Sequence, residues 1–248
     1  MFDYFAEQGG MAVLHPGGLE MTASCVGPFD DDKCVLDVAC GRGAAALWLA
    51  EKGLHRVVGL DGADRMVALA KTEAVRRGLS GRASFVQGAA SHLPFCDEAF
   101  DVVIIECTLS TFVDRRRVLD EMVRVVRPGG RLAIHDMAWA EDVNCQERKR
   151  LAPLILTDPE TVTGWMELFR GAGLLDLEQS DETTALRTFI AETRREVGLS
   201  RRMGMIAAAW RDGGMGGVAG LLRFALSFER AVESGKLRYI LLAGRKRE

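Results

Sequence analysis

Short runs of consecutive apolar residues alternate along the chain with stretches in which apolar residues recur every three or four positions. Residues 34–38, 56–60 and 102–106 have the length and composition of strands buried on both faces of a sheet. The stretch that follows the first run has the helical pattern, with Ala46, Leu47, Leu49 and Ala50 on one face. This alternation predicts an α/β fold with a doubly wound, mostly parallel sheet.

A glycine turn joins the first predicted strand to the first predicted helix. Gly41 and Gly43 lack a Cβ, so the backbone can turn tightly and a ligand can approach it closely. The second predicted strand ends at Asp61, where a doubly wound sheet places a carboxylate that accepts hydrogen bonds from ribose hydroxyls. These features predict a nucleotide-type cofactor site. The turn also fits a dinucleotide fingerprint, so an NAD(P)-dependent oxidoreductase is an alternative.

Two further segments carry a resemblance to a known family. Residues 88–101 contain Leu-Pro-Phe before the strand at 102–106, and residues 119–136 contain a helix, a Pro-Gly-Gly turn and a fifth strand. With the glycine turn and Asp61, they make the chain from about Lys33 to Met137 resemble the class I S-adenosylmethionine-dependent methyltransferases that act on small molecules. The resemblance implies a Rossmann-like sheet of seven strands, the last antiparallel, and S-adenosyl-L-methionine as the cofactor.

The same resemblance assigns cofactor contacts residue by residue. The turn glycines would face the methionine part, Asp61 the ribose and Met66 the adenine. Asp37 would support the turn or hold the amino group through water, although a simple capping role is open. Ala89 stands where the family often has an Asp that accepts from the adenine amino group, a contact that Ser91 could make. The full implied set is Asp37, Ala39, Gly41, Gly43, Asp61, Gly62, Met66, Ala89, Ala90, Glu106 and Cys107.

Methyl transfer by in-line displacement mainly requires that the acceptor be held close and aligned, so a base is optional. The candidates for a base are Glu106, His135 and Asp136 at strand ends, and His15 in the amino-terminal segment. His135 is equally compatible with an orientation into the core. A module that binds S-adenosylmethionine without turnover is a further alternative, which the departure at Ala89 favours and the intact glycine turn disfavours.

The six cysteines are irregularly spaced and contain no Cys-x-x-Cys pair, so we expect no structural zinc and no metal cofactor. Cys40 and Cys107 follow two different predicted strands, and Cys145 follows the fifth. Three thiolates at that edge could hold a soft ion. Methylation of a thiol-bound metalloid such as arsenite is therefore another alternative.

We expect one methyltransferase domain, residues 1–248, made of an amino-terminal lid at 1–32, a cofactor-binding core at 33–180, a helical insertion at 181–235 and a final strand at 236–248. The sixth strand is predicted at 174–179 and the seventh at 237–243. Helical spacing in the insertion predicts two helices joined by a flexible hinge at the glycine-rich residues 213–217. A substrate lid and a packing or dimerisation element both fit this cap.

Composition agrees with an enzyme that acts on small molecules. The chain has 248 residues, of which 48% are apolar, and its net charge of −3 gives no electrostatic footprint for nucleic acid. No apolar run has the length of a membrane span, and the amino terminus lacks the order of a signal peptide. We therefore expect a cytoplasmic monomer or homodimer with a small-molecule substrate and with neither nucleic acid nor membrane as partner.

Overall fold

The computed structural model describes residues 16–28, 32–54, 56–196 and 199–248. Among these residues, one sheet of seven strands runs in the order β3-β2-β1-β4-β5-β7-β6. Neighbouring strands from β3 to β5 pair in parallel, whereas β7 is antiparallel to both β5 and β6. The predicted fold class, including the antiparallel last strand, is confirmed. The strands are β1 Cys34–Val38, β2 Arg56–Asp61, β3 Ala83–Gln87, β4 Phe100–Glu106, β5 Val126–Trp139, β6 Leu174–Asp181 and β7 Leu237–Lys246.

Helices cover both faces of the sheet, as expected for strands that are apolar throughout. They are α1 Gly18–Val26, α2 Ala44–Glu51, α3 Asp64–Arg76, α4 Arg115–Val125, α5 Cys145–Ile155, α6 Val162–Gly171, α7 Thr183–Glu196 and α8 Leu199–Glu233. One core cluster joins the sheet to α1, α2 and α3, with Leu47 and Val67 at its centre. A second cluster on the opposite face contains Met122 of α4 and Phe169 of α6.

The insertion between β6 and β7 forms the helical cap, α7 and α8. A third apolar cluster joins it to the ends of β5 and β7, around the fully buried Trp139, Leu186, Val232 and Tyr239. The predicted hinge at 213–217 is wrong, because α8 continues through the glycines as one helix even though Gly214 has a left-handed φ of 56°. A glycine inside a helix costs about 1 kcal/mol relative to alanine, which weakens the helix without ending it.

Two predicted strands are longer than the apolar runs indicated. β6 continues to Asp181 and β7 to Lys246, because the antiparallel ladder between β5 and β7 extends from Trp139 paired with Leu237 to Arg131 paired with Arg245. Backbone hydrogen bonds extend both strands through polar residues, and polar residues produce no apolar run by which the strand ends could be predicted. No helix among the described residues combines the length and apolarity needed to cross a membrane.

Candidate functional site

The carboxyl ends of β1 and β4 lie side by side, and each is followed by a residue in a left-handed conformation. Ala39 has a φ of 58° and Cys107 a φ of 55°, an arrangement that costs energy for residues with a Cβ. Such strain is concentrated at ligand sites, where the surrounding structure holds it in place. Both residues belong to the predicted cofactor set, and the structure puts them at one edge of the sheet.

The two turn glycines have different surroundings. Gly41 has a φ of 53°, and a Cβ built on it would meet nothing within 4 Å. Gly43 has a φ of 76°, and its Cβ would lie 2.5 Å from Cε1 of Phe85. Gly41 therefore keeps space open beside the turn, whereas Gly43 allows α2 to pack closely against the sheet.

Asp61 braces the glycine turn from the end of β2. Its Oδ2 accepts a hydrogen bond from the Gly41 amide at 2.8 Å, and its Oδ1 accepts from the Ala63 amide at 2.9 Å. A carboxylate oxygen can accept more than one hydrogen bond, so both oxygens keep capacity for ribose hydroxyls. The structure thus gives Asp61 a local role that is compatible with the predicted one.

Asp37 is a buried carboxylate, only 3% exposed, inside β1. The Ala46 backbone donates to it, but its Oδ2 has no partner among the described residues. Burial raises the pKa of Asp37, and the nearby carboxylates of Glu106 and Asp61 raise it further. This concentration of acidic groups fits a cationic ligand, and S-adenosylmethionine carries both an ammonium and a sulfonium.

Glu106, at the end of β4, is held by side chains from α1 and β5. Thr22 donates to its Oε2 at 3.0 Å, and Nδ1 of His135 lies 3.2 Å from its Oε1. The same nitrogen lies 3.2 Å from Sγ of Cys25. The sequence analysis missed Thr22 and Cys25, because residues 84 and 110 positions apart meet here and no local pattern marks them.

Cys107 and Tyr239 form a neutral pair beside this cluster. Sγ of Cys107 lies 3.2 Å from the Tyr239 hydroxyl, and the Tyr239 ring stacks on His135 with centroids 5.7 Å apart. Burial raises the pKa of the Cys107 thiol well above its usual range, and the Asp136 carboxylate adds to the effect. Burial also raises the pKa of Tyr239. Sequence reasoning did not identify Tyr239, which comes from the far end of the chain.

Two of the predicted bases have surroundings that the sequence did not show. His135 and Asp136 lie inside β5, which continues to Trp139, and point to opposite faces. His135 is level with Glu106 in the ladder and fully buried. Asp136 accepts hydrogen bonds from the Ser110 amide and hydroxyl and from the Met137 amide, so it holds the turn after β4. His15 lies outside the described residues.

The predicted adenine contacts lie at the ends of β2 and β3. Met66 and Ala90 are buried, whereas Ala89 is exposed. Gly62 approaches the same edge, since a Cβ on it would lie 3.8 Å from the Gly88 carbonyl oxygen. Ser91, the suggested replacement for the missing carboxylate, lies 3.4 Å from Nδ1 of His92.

The three cysteines suggested for a metalloid do not come together. Cys40 packs in the core cluster on the α2 face, Cys145 is exposed at the start of α5, and Cys107 lies under the cap. Burial raises the pKa of the Cys40 thiol, and the carboxylate of Asp37 raises it further. In the part of the chain that the structure describes, the group arranged for an ion is instead Cys25, Glu106 and His135.

Comparison with known proteins agrees with this geometry. The family described as the methyltransferase domain matches residues 36–134. An uncharacterised protein of Haemophilus influenzae is 32% identical over 184 residues, which are 71% of this chain and 73% of that protein. A demethylmenaquinone methyltransferase of Clavibacter sepedonicus is 40% identical over 115 residues, covering 46% of this chain and 44% of the relative.

A solved structure titled as the [4+2]-cyclase SpnF has a similar fold. It superposes with a TM-score of 0.82 at 24% identity and covers 99% of this chain and 92% of its own. The cap and the amino-terminal helix are therefore part of the shared architecture. This similarity concerns the fold, whereas the glycine turn, Asp37 and Asp61 lie within the residues that match the methyltransferase domain.

Proposed function

Because the chain belongs to the class I S-adenosylmethionine-dependent methyltransferases, we propose that it transfers a methyl group from S-adenosyl-L-methionine to an apolar small molecule with an acidic hydroxyl. Family membership argues against the NAD(P)-dependent alternative. The observation that carries the proposal is the Asp37 carboxylate, which is buried and has one oxygen without a partner among the described residues. It lies close enough to Glu106 for the charge of Glu106 to raise the pKa of Asp37. A cationic occupant would stabilise the ionised carboxylates of such a site.

The cofactor residues follow from the same edge of the sheet. We propose that Asp37 accepts from the ammonium group, that Asp61 accepts from the ribose, and that Gly41 leaves room for the methionine chain. Met66 and Ala90 then border the adenine. When bound, S-adenosylmethionine supplies an activated methyl group on a sulfonium that leaves as a neutral thioether.

The acceptor class follows from the lining under the cap. Half-buried apolar side chains from α1, α5, β5, α7 and α8 pack around the cluster that contains Trp139 and Tyr239; they include Met21, Met137, Leu151, Ile190 and Phe228. Such a surface favours an apolar acceptor, and the flexible methionines adapt to a ring system. A quinol fits this description, and the similarity to a demethylmenaquinone methyltransferase supports it.

We propose that Glu106 is the general base that accepts the proton lost by the acceptor. Thr22 and His135 fix its carboxylate at the end of β4, next to the apolar lining. Among the other described candidates, Asp136 is engaged by the Ser110 turn. In this proposal, α1 and the cap, within residues 1–32 and 181–235, enclose the acceptor over the core at 33–180.

Methyl transfer from labelled S-adenosylmethionine to a panel of acceptors tests this proposal. We expect labelled product with reduced naphthoquinones and other apolar phenols, and none with phosphorylated amines. Glu106→Gln should lower kcat by about 100-fold, because proton transfer contributes that order of rate. Asp176→Asn, an exposed change in β6, is the control. Turnover of the polar acceptors alone would contradict the proposed acceptor class.

A further inference from the structure

Cys25, Glu106 and His135 place three different kinds of ligand atom around one buried point. They come from α1, β4 and β5, and their ligand atoms all lie within 4.8 Å of one another. Nδ1 of His135 is 3.2 Å from Sγ of Cys25 and 3.2 Å from Oε1 of Glu106. Cys25 and His135 are both fully buried.

The two separations from His135 are a few tenths of an ångström shorter than, or close to, those that a tetrahedral ion imposes on its ligands. Zinc bonds of about 2.0 Å to nitrogen or oxygen and about 2.3 Å to sulfur, at tetrahedral angles, put nitrogen and oxygen roughly 3.3 Å apart and nitrogen and sulfur roughly 3.5 Å apart. Hydrogen bonding accounts for one of the two contacts at a time. Nδ1 carries at most one proton, so it either donates to the Glu106 carboxylate or accepts from the Cys25 thiol, whereas a bound ion satisfies both contacts at once.

We propose that Cys25, Glu106 and His135 form a binding site for a single Zn²⁺ ion. A thiolate and an imidazole select zinc over magnesium or calcium, which prefer oxygen ligands alone. On binding, the Cys25 thiol loses its proton to solvent as the sulfur–zinc bond forms, and the charges of thiolate, carboxylate and ion sum to zero. Three protein ligands leave a fourth position open, as in zinc sites that bind water or a substrate atom.

Thr22 completes the site as the residue that positions the carboxylate. Its hydroxyl lies 3.0 Å from Oε2 of Glu106 and 3.3 Å from Oε1, the oxygen that also faces His135. Thr22 and Cys25 lie on one face of α1, three residues apart. A bound ion therefore links α1 to β4 and β5. Because it coordinates the Glu106 carboxylate, that carboxylate cannot accept the acceptor's proton while the ion is bound.

Cobalt titration of the reduced, full-length protein without cofactor tests the site independently of methyl transfer. We expect one Co²⁺ per chain, with a thiolate-to-cobalt charge-transfer band that Zn²⁺ displaces. Cys25→Ser should remove the band and weaken zinc binding by about 100-fold, one ligand's share of a typical zinc affinity. Thr22→Val should keep the band and weaken binding by about tenfold. Cys145→Ser, which changes an exposed thiol, should leave both unchanged.

The result that overturns the site is the absence of the band in the parent, or an equal band in Cys25→Ser. If Cys25→Ser does not fold, as judged by circular dichroism, His135→Asn takes its place, with loss of zinc affinity expected. Zinc should also raise the Tm of the parent and not that of the ligand variants. An unchanged Tm in the parent would equally contradict the proposal.

Discussion

The buried position of Asp37 is unfavourable for the stability of the fold and favourable for the binding of a cationic ligand. Its carboxylate is buried in the first strand, and one oxygen lacks a partner among the described residues. Taking such a charge out of water destabilises the fold unless an opposite charge compensates for it. A residue with this environment at the edge of a doubly wound sheet is a residue that a cationic ligand stabilises.

Asp37→Asn should therefore change stability and binding in opposite directions. Asparagine keeps an oxygen for the Ala46 amide and removes the buried charge, so we expect about 1 kcal/mol more stability. Affinity for S-adenosylmethionine should fall by at least about tenfold, since a charged partner is lost. Denaturant unfolding and calorimetric titration measure the two effects. Lower stability with unchanged affinity would mean that Asp37 only caps the turn.

Residues of the site were predictable from the sequence where they stand at or near the end of a predicted strand. Gly41, Asp61 and Glu106 each follow or end a strand and Asp37 is one residue before the end of β1, so a local pattern places them near the sheet edge. Thr22, Cys25 and Tyr239 were not predictable, because their contacts join α1 or β7 to the middle of the chain. Contacts over such separations depend on strand order, which apolar patterns do not specify.

The turn between β1 and α2 uses its two glycines for different purposes. Both have left-handed φ angles, but only Gly43 faces a neighbour, the Phe85 ring, at a distance that a Cβ cannot occupy. The sequence pattern treats the two glycines as equivalent. The structure divides them between ligand access at Gly41 and packing between α2 and the sheet at Gly43.

Alanine substitutions should separate these two roles. Gly43→Ala should cost about 3 kcal/mol of stability, because the methyl group overpacks the contact with Phe85 and the left-handed φ is strained. Gly41→Ala should cost about 1 kcal/mol, the conformational part alone. Denaturant unfolding of both variants measures the difference. Equal losses would contradict the division of roles.

The Leu-Pro-Phe segment is held by an ion pair on α4. Glu121 accepts from the Leu93 amide at 2.8 Å, and Arg124 donates to the carbonyl oxygens of Leu93 and Phe95. Arg124 also donates to Glu121 at 2.8 Å. The hydrogen bonds from Arg124 lower the pKa of Glu121 to about 2, assisted by the Leu93 amide.

Glu121→Gln should destabilise the protein in a pH-dependent way. A carboxyl whose pKa is lowered in the folded state contributes stability that is present above its unfolded pKa and lost as pH falls through about 2. We expect a loss of about 2 kcal/mol at pH 7 that shrinks as the pH falls from about 5 to 2. Unfolding curves across this range measure it. A difference independent of pH would contradict the ionic role.

At the scale of elements, the core strands, their flanking helices and the helical character of the insertion were predictable, whereas the course of α8 was not. Apolar runs locate β1, β2 and β4, because these strands are buried on both faces. The continuous α8 contradicts the hinge predicted from its glycines, since a glycine weakens a helix and does not by itself end it. The extensions of β6 and β7 come from strand pairing and have no apolar signature.

The molecule as a whole joins a seven-stranded sheet to a helical cap that packs against the ends of β5 and β7. The order of strands and helices could be predicted through the family resemblance, because the glycine turn, Asp61 and the Pro-Gly-Gly turn specify it together. The acceptor could not, since the half-buried apolar side chains from which we infer it come from five elements of the chain. Only the packed structure brings Met21 of α1 and Phe228 of α8 into one apolar cluster around Tyr239.

We propose that this chain uses the edge formed by Asp37, Gly41 and Asp61 to hold S-adenosylmethionine for methyl transfer. The direct test is incubation of the purified protein with methyl-labelled S-adenosylmethionine and a small-molecule extract of bacterial cells, with S-adenosylhomocysteine measured in parallel. Asp61→Ala, which removes the ribose acceptor and the brace on Gly41, is the comparison.

We predict label in apolar small molecules, with S-adenosylhomocysteine formed in equal amount, and a loss of at least about tenfold in cofactor affinity for Asp61→Ala. Cofactor binding without any label or S-adenosylhomocysteine would indicate a binding module and contradict the account. An Asp61→Ala protein that binds the cofactor as tightly as its parent would contradict the site.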